Sequence, residues 1–170
     1  NQAENALYVA AIYYVCQYEA IASLILKKLI IDQFSDSEAA RKIYYIICAP
    51  VKDALPENYQ GEVEFLDAFV KTGDPKPIEN EIEQIERLTA EDGFSSIDEF
   101  FNAQILLAVL KKFIQHNIWR TLLQYDQTTD WHEYINYSRT QGILSFLPSQ
   151  EDALSNGLLT FDRSFSLGMA

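Results

Sequence analysis

The apolar run over residues 6–26 constrains the fold of this chain more than any other feature. It is 21 residues long, about the length that spans a bilayer, and Lys27 and Lys28 follow it directly. A carboxylate, Glu19, lies inside the run, where burial in hydrocarbon would cost roughly 3 kcal/mol. The aromatic residues also lie within the run and not at its edges. We therefore predict no membrane span, and instead a helix in the core of a water-soluble domain.

Glu19 has two interpretations within such a domain. With Ser23 and Lys27 it forms a four-residue repeat, which predicts a polar stripe along an otherwise buried helix. On this interpretation Glu19 is either exposed to water or bonded to a core tyrosine. The alternative is that Glu19 lies in the wall of a ligand pocket, for which the candidate residues are Tyr14, Tyr18, Glu19 and His132.

Apolar residues follow helical spacing over nearly the whole chain, and start and stop signals divide it. Residues 35–38 and 96–99 have the capping-box pattern, in which the hydroxyl of Ser35 or Ser96 binds a free amide of the new helix. Pro77 is suited to the first turn of a helix. These signals predict seven helices, at about 3–33, 35–50, 62–71, 78–90, 97–125, 130–140 and 149–156.

The end of the chain changes its period. Leu159, Phe161, Phe165 and Leu167 alternate with polar residues, which is typical of a strand, and residues 142–147 are a candidate partner strand. An extended tail without strand partners and a strand offered to another molecule are the alternatives. The predicted fold is all-α, a single domain over residues 1–170 with six or seven helices and a small β-hairpin or extended C-terminal tail.

The net charge of −12 is concentrated in residues 57–99, where thirteen acids face three cations, a local balance of −10. Such a surface repels nucleic acids and anionic lipids, which argues against both as partners. A solvated face that keeps the domain soluble explains this segment. The functional alternative is a surface that steers a basic protein partner, with candidate partner-binding residues Glu79, Glu83, Glu86, Glu91 and Asp92.

The motifs of common enzyme classes are absent. The sequence has no phosphate-binding loop, no dinucleotide-binding glycine motif, no nucleophile elbow, no C-x-x-C and no H-E-x-x-H. The Glu-x-x-His spacing of di-iron bundles is also missing, because Phe113 and Thr129 stand three residues before His116 and His132. We therefore predict no catalytic residues, no metal site and no cofactor.

Cations recur every four residues on the helix predicted over residues 97–125. Lys112, His116 and Arg120 would share one face, opposite a stripe of apolar residues. This face is either a solvated basic ridge turned toward the acidic helix of the same molecule or, together with Lys111, a site for a small anion or an acidic partner.

His132 lies in the most polar and aromatic cluster of the chain. Asp130 or Glu133 could orient its imidazole, as general-base and metal sites require. The simpler interpretation is the first turn of a helix, capped by Asp130, with Trp131 and Tyr134 packed inward.

Cys16 and Cys48 each lie among apolar residues, which is typical of reduced thiols in a core. We therefore expect a cytoplasmic protein. No signal-peptide pattern opens the chain, although position 1 is not Met and a leader upstream of Asn1 stays open.

These features favour a non-enzymatic domain that binds a basic protein, either as an adaptor or as an immunity-type inhibitor of a toxin or nuclease. The alternative is a small helical ligand-binding domain or enzyme with a pocket of tyrosine and glutamate side chains. A third hypothesis is a structural domain that forms homo-oligomers through the alternating segment at residues 158–167.

Overall fold

The computed structural model describes residues 2–158, in which every regular element is a helix. Ten α-helices and three short 3-10 helices follow one another along this part of the chain, and none of it is a β-strand. The prediction of an all-α fold is confirmed, with more helices than expected. The 3-10 helices are Ile31–Phe34, Lys52–Ala54 and Gly61–Val63, and the α-helices are α1 (Gln2–Val15), α2 (Glu19–Leu26), α3 (Glu38–Cys48), α4 (Glu57–Gln60), α5 (Glu64–Thr72), α6 (Lys76–Ala90), α7 (Ile97–Gln115), α8 (Ile118–Tyr125), α9 (His132–Thr140) and α10 (Pro148–Ser155).

The helix predicted over residues 3–33 is broken between α1 and α2. Gln17 adopts the left-handed conformation with φ of 67°, and its amide donates to the carbonyl of Tyr14 at 3.0 Å. The amide of Tyr18 donates to the carbonyl of Tyr13 at 2.8 Å, which completes a Schellman motif. The rings of Tyr13 and Tyr18 pack edge to face across the motif with centroids 6.2 Å apart. The prediction of one long helix is therefore wrong, and α2 packs against α1.

The helix predicted over residues 97–125 is also broken, between α7 and α8. Asn117 is the N-cap of α8, and its side-chain oxygen accepts a hydrogen bond from the amide of Arg120 at 2.8 Å. Its side-chain nitrogen donates to the carbonyl of Phe113 at 3.1 Å. The buried side-chain amide of Asn117 thus provides hydrogen bonds both to a free carbonyl at the end of α7 and to a free backbone amide at the start of α8.

Other helix ends show how well the capping patterns predict boundaries. Ser96 caps α7 as predicted, accepting a hydrogen bond from the amide of Glu99 at 3.1 Å. The cap of α3 is Ser37 and not Ser35, because the Ser37 hydroxyl accepts from the amide of Ala40 at 3.2 Å. The second helix therefore begins slightly later than predicted.

The predicted C-terminal strand, including Leu159, Phe161, Phe165 and Leu167, lies outside the described residues. Its candidate partner, residues 142–147, is an irregular connection between α9 and α10 and not a strand. A role for the C-terminal segment in oligomerisation stays a prediction.

The core is built around α3 and α7, with α1, α2 and α6 packed against them. Phe69 from α5 and Phe113 from α7 are fully buried and meet edge to face, with ring centroids 5.3 Å apart. The indole nitrogen of Trp119 donates to the carbonyl of Val70 at 2.8 Å, which ties α8 to α5. Within residues 2–158 no helix has the length and apolarity needed to cross a membrane.

Gly73 and Gly61 provide a matched test of helix-end conformation. Gly73 ends α5 with φ of 71°, and an added Cβ would lie 3.1 Å from the ring of Trp119. We expect Gly73→Ala to lower the free energy of unfolding by about 1–3 kcal/mol. Gly61 has φ of −64° and open space around it, so Gly61→Ala should raise the free energy by about 0.4–1 kcal/mol. Urea denaturation measures both changes, and effects of the same sign would contradict this explanation.

Candidate functional site

A wide cleft of about 610 Å³ opens where the first turns of α1, α3 and α7 meet one side of α6. Carboxylates gather there partly because acidic residues are favourable near the positive N-terminal ends of helices. Apolar side chains lie between them and include Ile85, Leu88, Phe94 and Leu106. We call this site the acidic cleft, and its six carboxylates belong to Glu4, Asp36, Glu38, Glu81, Asp98 and Glu99.

Lys42 is the cation that lines the acidic cleft in the described part of the chain. Its ammonium lies 2.8 Å from the carboxylate of Glu38 and 2.7 Å from that of Glu81. Burial acts to lower the pKa of Lys42, but the hydrogen bonds that its ammonium donates to the two carboxylates outweigh that effect, and the net shift is upward. The cleft therefore already holds one ammonium group between two helices.

The predicted partner-binding residues on α6 lie on its solvent side and do not line the acidic cleft. Glu79 and Glu83 are exposed and form no ion pair with the cations of residues 2–158. Glu86 forms an ion pair with Lys111 at 2.7 Å. Both faces of α6 are thus acidic, and the turn after it adds two more exposed carboxylates, Glu91 and Asp92.

Glu19 is neither fully exposed nor bonded to a tyrosine. Its side chain is 14% exposed and accepts a hydrogen bond from the ammonium of Lys112, whose side chain is 5% exposed. The ammonium also lies 4.1 Å from the centre of the Tyr14 ring. Burial lowers the pKa of Lys112, and Glu19 opposes that shift. The second carboxylate oxygen of Glu19 is buried and has no hydrogen-bond partner among the described residues.

A smaller cleft of about 310 Å³ lies beside this pair, between α2, the end of α3 and residues 141–150. Tyr14 and Glu19 line it together with Ser23 and Lys27, so the predicted polar stripe of α2 faces this cleft. Apolar side chains complete its walls, among them Ile46, Ile47, Leu144 and Leu147. The volume is at the lower end of the range for small-molecule sites.

Two of the four candidate pocket residues do not line the smaller cleft. Tyr18 is 57% exposed at the turn between α1 and α2. His132 packs against Trp119 with ring centroids 4.8 Å apart, at the start of α9. The pocket predicted from sequence thus retains Tyr14 and Glu19 alone.

The candidate anion site is not assembled on one face. Lys112 is buried with Glu19, whereas His116 ends α7 with its Nε2 3.3 Å from the side-chain nitrogen of Gln17. Arg120 is exposed on α8, beyond the break at Asn117. The four-residue spacing failed to predict a shared face because it assumed one continuous helix.

His132 occupies the first turn of α9, as the simpler interpretation predicted. The carboxylate of Asp130 accepts a hydrogen bond from the backbone amide of His132 at 3.0 Å. The same carboxylate also contacts Nδ1 of the His132 ring. Trp131 is partly buried, whereas Tyr134 is exposed and does not pack inward as predicted. Across residues 2–158 no three His, Cys, Asp or Glu side chains are grouped to hold a metal ion.

The sequence did not predict a buried polar cluster of Tyr45, Asp67 and Arg139. The hydroxyl of Tyr45 donates to the carboxylate of Asp67 at 3.0 Å, and the guanidinium of Arg139 contacts both groups. Burial raises the pKa of Asp67 to about 6 and lowers that of Arg139 to about 10, whereas the contact between the two groups favours the charged form of each. The cluster ties α3, α5 and α9 together, and its members are too far apart in sequence for any local pattern.

The two cysteines have different environments. Cys16 is exposed and not in the core as predicted, and Cys48 is partly buried. Burial raises the pKa of the Cys48 thiol to about 12, which makes it a poor nucleophile at neutral pH.

The acidic cleft and the smaller cleft differ in the charge of their walls. Carboxylates predominate in the acidic cleft, whereas the smaller cleft has mainly apolar walls with one glutamate and one lysine. Comparison of the chain with family models, with curated proteins and with solved structures found no match.

Proposed function

We propose that this chain is a non-enzymatic domain that binds a basic protein, as an adaptor or an immunity-type inhibitor, through the acidic cleft. The observation that carries the proposal is the lining of that cleft, in which six carboxylates and one lysine surround apolar side chains. A partner segment that carries Lys or Arg beside an apolar anchor would be complementary in both charge and polarity. We place the protein in the cytoplasm because its two cysteines are free thiols.

The geometry around Lys42 supports lysine as the group recognised. Its ammonium bonds Glu38 on its own helix and Glu81 on α6, which is the chemistry a partner lysine would repeat. Asp36 and Asp98 line the same cleft and form no ion pair with the cations of residues 2–158. These two carboxylates are the acceptors that we assign to the partner's cations.

The solvent face of α6 has a different role in this proposal. Glu79 and Glu83 lie outside the cleft but add to the negative field around it. Charges of this kind accelerate the encounter of two proteins and contribute less to the lifetime of the complex. We therefore expect the predicted partner-binding residues to steer the partner and the cleft to hold it.

Charge reversal in the cleft tests the proposal. The basic protein retained by this chain from its host extract is purified, and its association is measured by stopped flow at several salt concentrations. We expect the variant carrying Asp36→Lys and Asp98→Lys to associate about tenfold more slowly or worse, and with a flatter salt dependence. The matched control carries Glu57→Lys and Asp152→Lys, which change the net charge equally at exposed positions outside the cleft.

Two outcomes would count against the proposal. An unchanged association rate in the cleft variant would mean that the cleft does not contact the partner. An equal decrease in the control would mean that net charge alone, and no particular surface, determines binding.

A second candidate function is supported by the smaller cleft, because Tyr14 and Glu19, two of the four candidate pocket residues, line it. In this case the chain would bind a small molecule with an apolar body and a polar group. Native mass spectrometry of the purified chain separates the two functions, since a pocket ligand adds a small discrete mass and a protein partner does not.

A further inference from the structure

The outer side of the α1–α2 hairpin is apolar. Both helices pack against α3 and against each other, and the rings of Tyr13 and Tyr18 meet across the turn that joins them. The core side of α1 is formed by Leu7, Ala10 and Tyr14, whereas the opposite side carries large exposed apolar residues. We define the hairpin face by its six exposed apolar residues, Val9, Ile12, Tyr13, Tyr18, Ile21 and Leu24.

The hairpin face carries several of the most exposed large apolar side chains in the described part of the chain. Ile12 is 65% exposed, Leu24 is 64% exposed and Tyr18 is 57% exposed. The six residues together expose roughly 600 Å², the upper end of the largest apolar patch on a typical monomer. Such a patch is typical of an interaction surface.

The charges around the hairpin face restrict what can cover it. None of its six residues is acidic, so it offers no counter-charge to the basic partner proposed for the acidic cleft. Lys27 and Lys28, at the end of α2, are two cations on a chain with a net charge of −12, which is too little to attract an anionic membrane. A partner surface that is itself apolar and uncharged is the best complement, and the hairpin face of a second copy meets that requirement.

We propose that the hairpin face is the interface of a homodimer, in which the faces of two copies pack together around a twofold axis. Two such faces bury about 1,200 Å², the lower limit for a specific protein–protein interface. Interfaces near this limit are typical of transient association, so we expect the dimer to dissociate on dilution. Because both copies are strongly acidic, their net charges repel, and salt strengthens the dimer by screening that repulsion.

Sedimentation velocity of the chain without its partner tests the dimer. Between about 1 and about 200 µM we expect the mass to move from one chain toward two, and the transition to shift to lower concentration as salt is raised. Ile12→Lys and Leu24→Lys place a charge in the interface and should each weaken the dimer at least tenfold. Tyr137→Lys is the control, because it makes the same charge change at a residue of α9 that is as exposed as Ile12.

Three outcomes bear against the homodimer. A monomer over the whole concentration range, or a dimer unaffected by Ile12→Lys, would overturn the assignment. A monomer that instead floats with neutral phosphatidylcholine vesicles would reassign the hairpin face to lipid. The salt dependence keeps this test separate from the proposed function, because salt strengthens the dimer but weakens binding of a basic partner.

Discussion

Removing either partner of the buried ion pair between Asp67 and Arg139 should lower the free energy of unfolding by about 3–5 kcal/mol. Both side chains are at most 8% exposed, and the contact between them favours the charged form of each. Asp67→Leu leaves the guanidinium buried without a counter-charge, and Arg139→Met leaves the carboxylate with only the hydroxyl of Tyr45. Urea denaturation at pH 7 measures both losses, which are a large fraction of the stability of an ordinary domain.

The double variant Asp67→Leu with Arg139→Met separates the ion pair from the packing around it. Replacing both charges by apolar groups of similar size should cost far less than either single change, because no charge is then stranded. The exposed ion pair of Lys111 and Glu86 is the control, and Glu86→Ala should change stability by no more than about 0.5 kcal/mol. If the single changes at Asp67 and Arg139 are as mild as Glu86→Ala, the cluster does not hold α3, α5 and α9 together.

Several helix boundaries could be predicted from sequence because their signals are local, whereas α4 and the three 3-10 helices were not predicted. The hydroxyl of Ser96 binds an amide three residues away, and Gly73 ends α5 by its own freedom to adopt positive φ. The amphipathic stripe of α6, with Ile78 and Ile85 buried, is likewise contained within a few turns. Such features depend on neighbours in the sequence, and those neighbours are visible without a structure.

The breaks between α1 and α2 and between α7 and α8 could not be predicted, because the sequence around each of them favours a continuous helix. Gln17 takes a left-handed conformation that usually belongs to Gly or Asn, and the cost is offset by the Schellman hydrogen bonds and by packing of Tyr18 on Tyr13. Asn117 lies in a continuous helical pattern and serves both helix ends only because the chain turns there. Tertiary packing overrides the helical period at both positions.

The charged pairs of the core were missed for a different reason. Lys112 was assigned to a basic surface, and Asp67 was counted with the acidic segment, because charge on its own suggests exposure. Their partners, Glu19 and Arg139, are distant in sequence, and no spacing rule connects them. The one sequence signal for a buried charge is an acidic or basic residue within an apolar run. This signal identified Glu19 but not its partner, Lys112.

Lys112→Met should lower the free energy of unfolding by about 3–5 kcal/mol, whereas Glu19→Gln should lower it by about 1–3 kcal/mol. The difference arises because the two groups keep different partners. After Glu19→Gln the amide oxygen can still accept from the ammonium, and the ring of Tyr14 still lies beneath it. After Lys112→Met the carboxylate loses its donor, and its second oxygen is already without a hydrogen-bond partner in the described part of the chain.

Lys111, the neighbour of Lys112 in the sequence, supplies the control for the Lys112→Met variant. Lys111 is half exposed and pairs with Glu86 on the surface, so Lys111→Met should cost less than about 1 kcal/mol although it removes the same charge. Urea denaturation at pH 7 measures all three changes. Equal losses in the Lys111 and Lys112 variants would show that Glu19 is solvated, and the apolar run at residues 6–26 would then contain no buried charge.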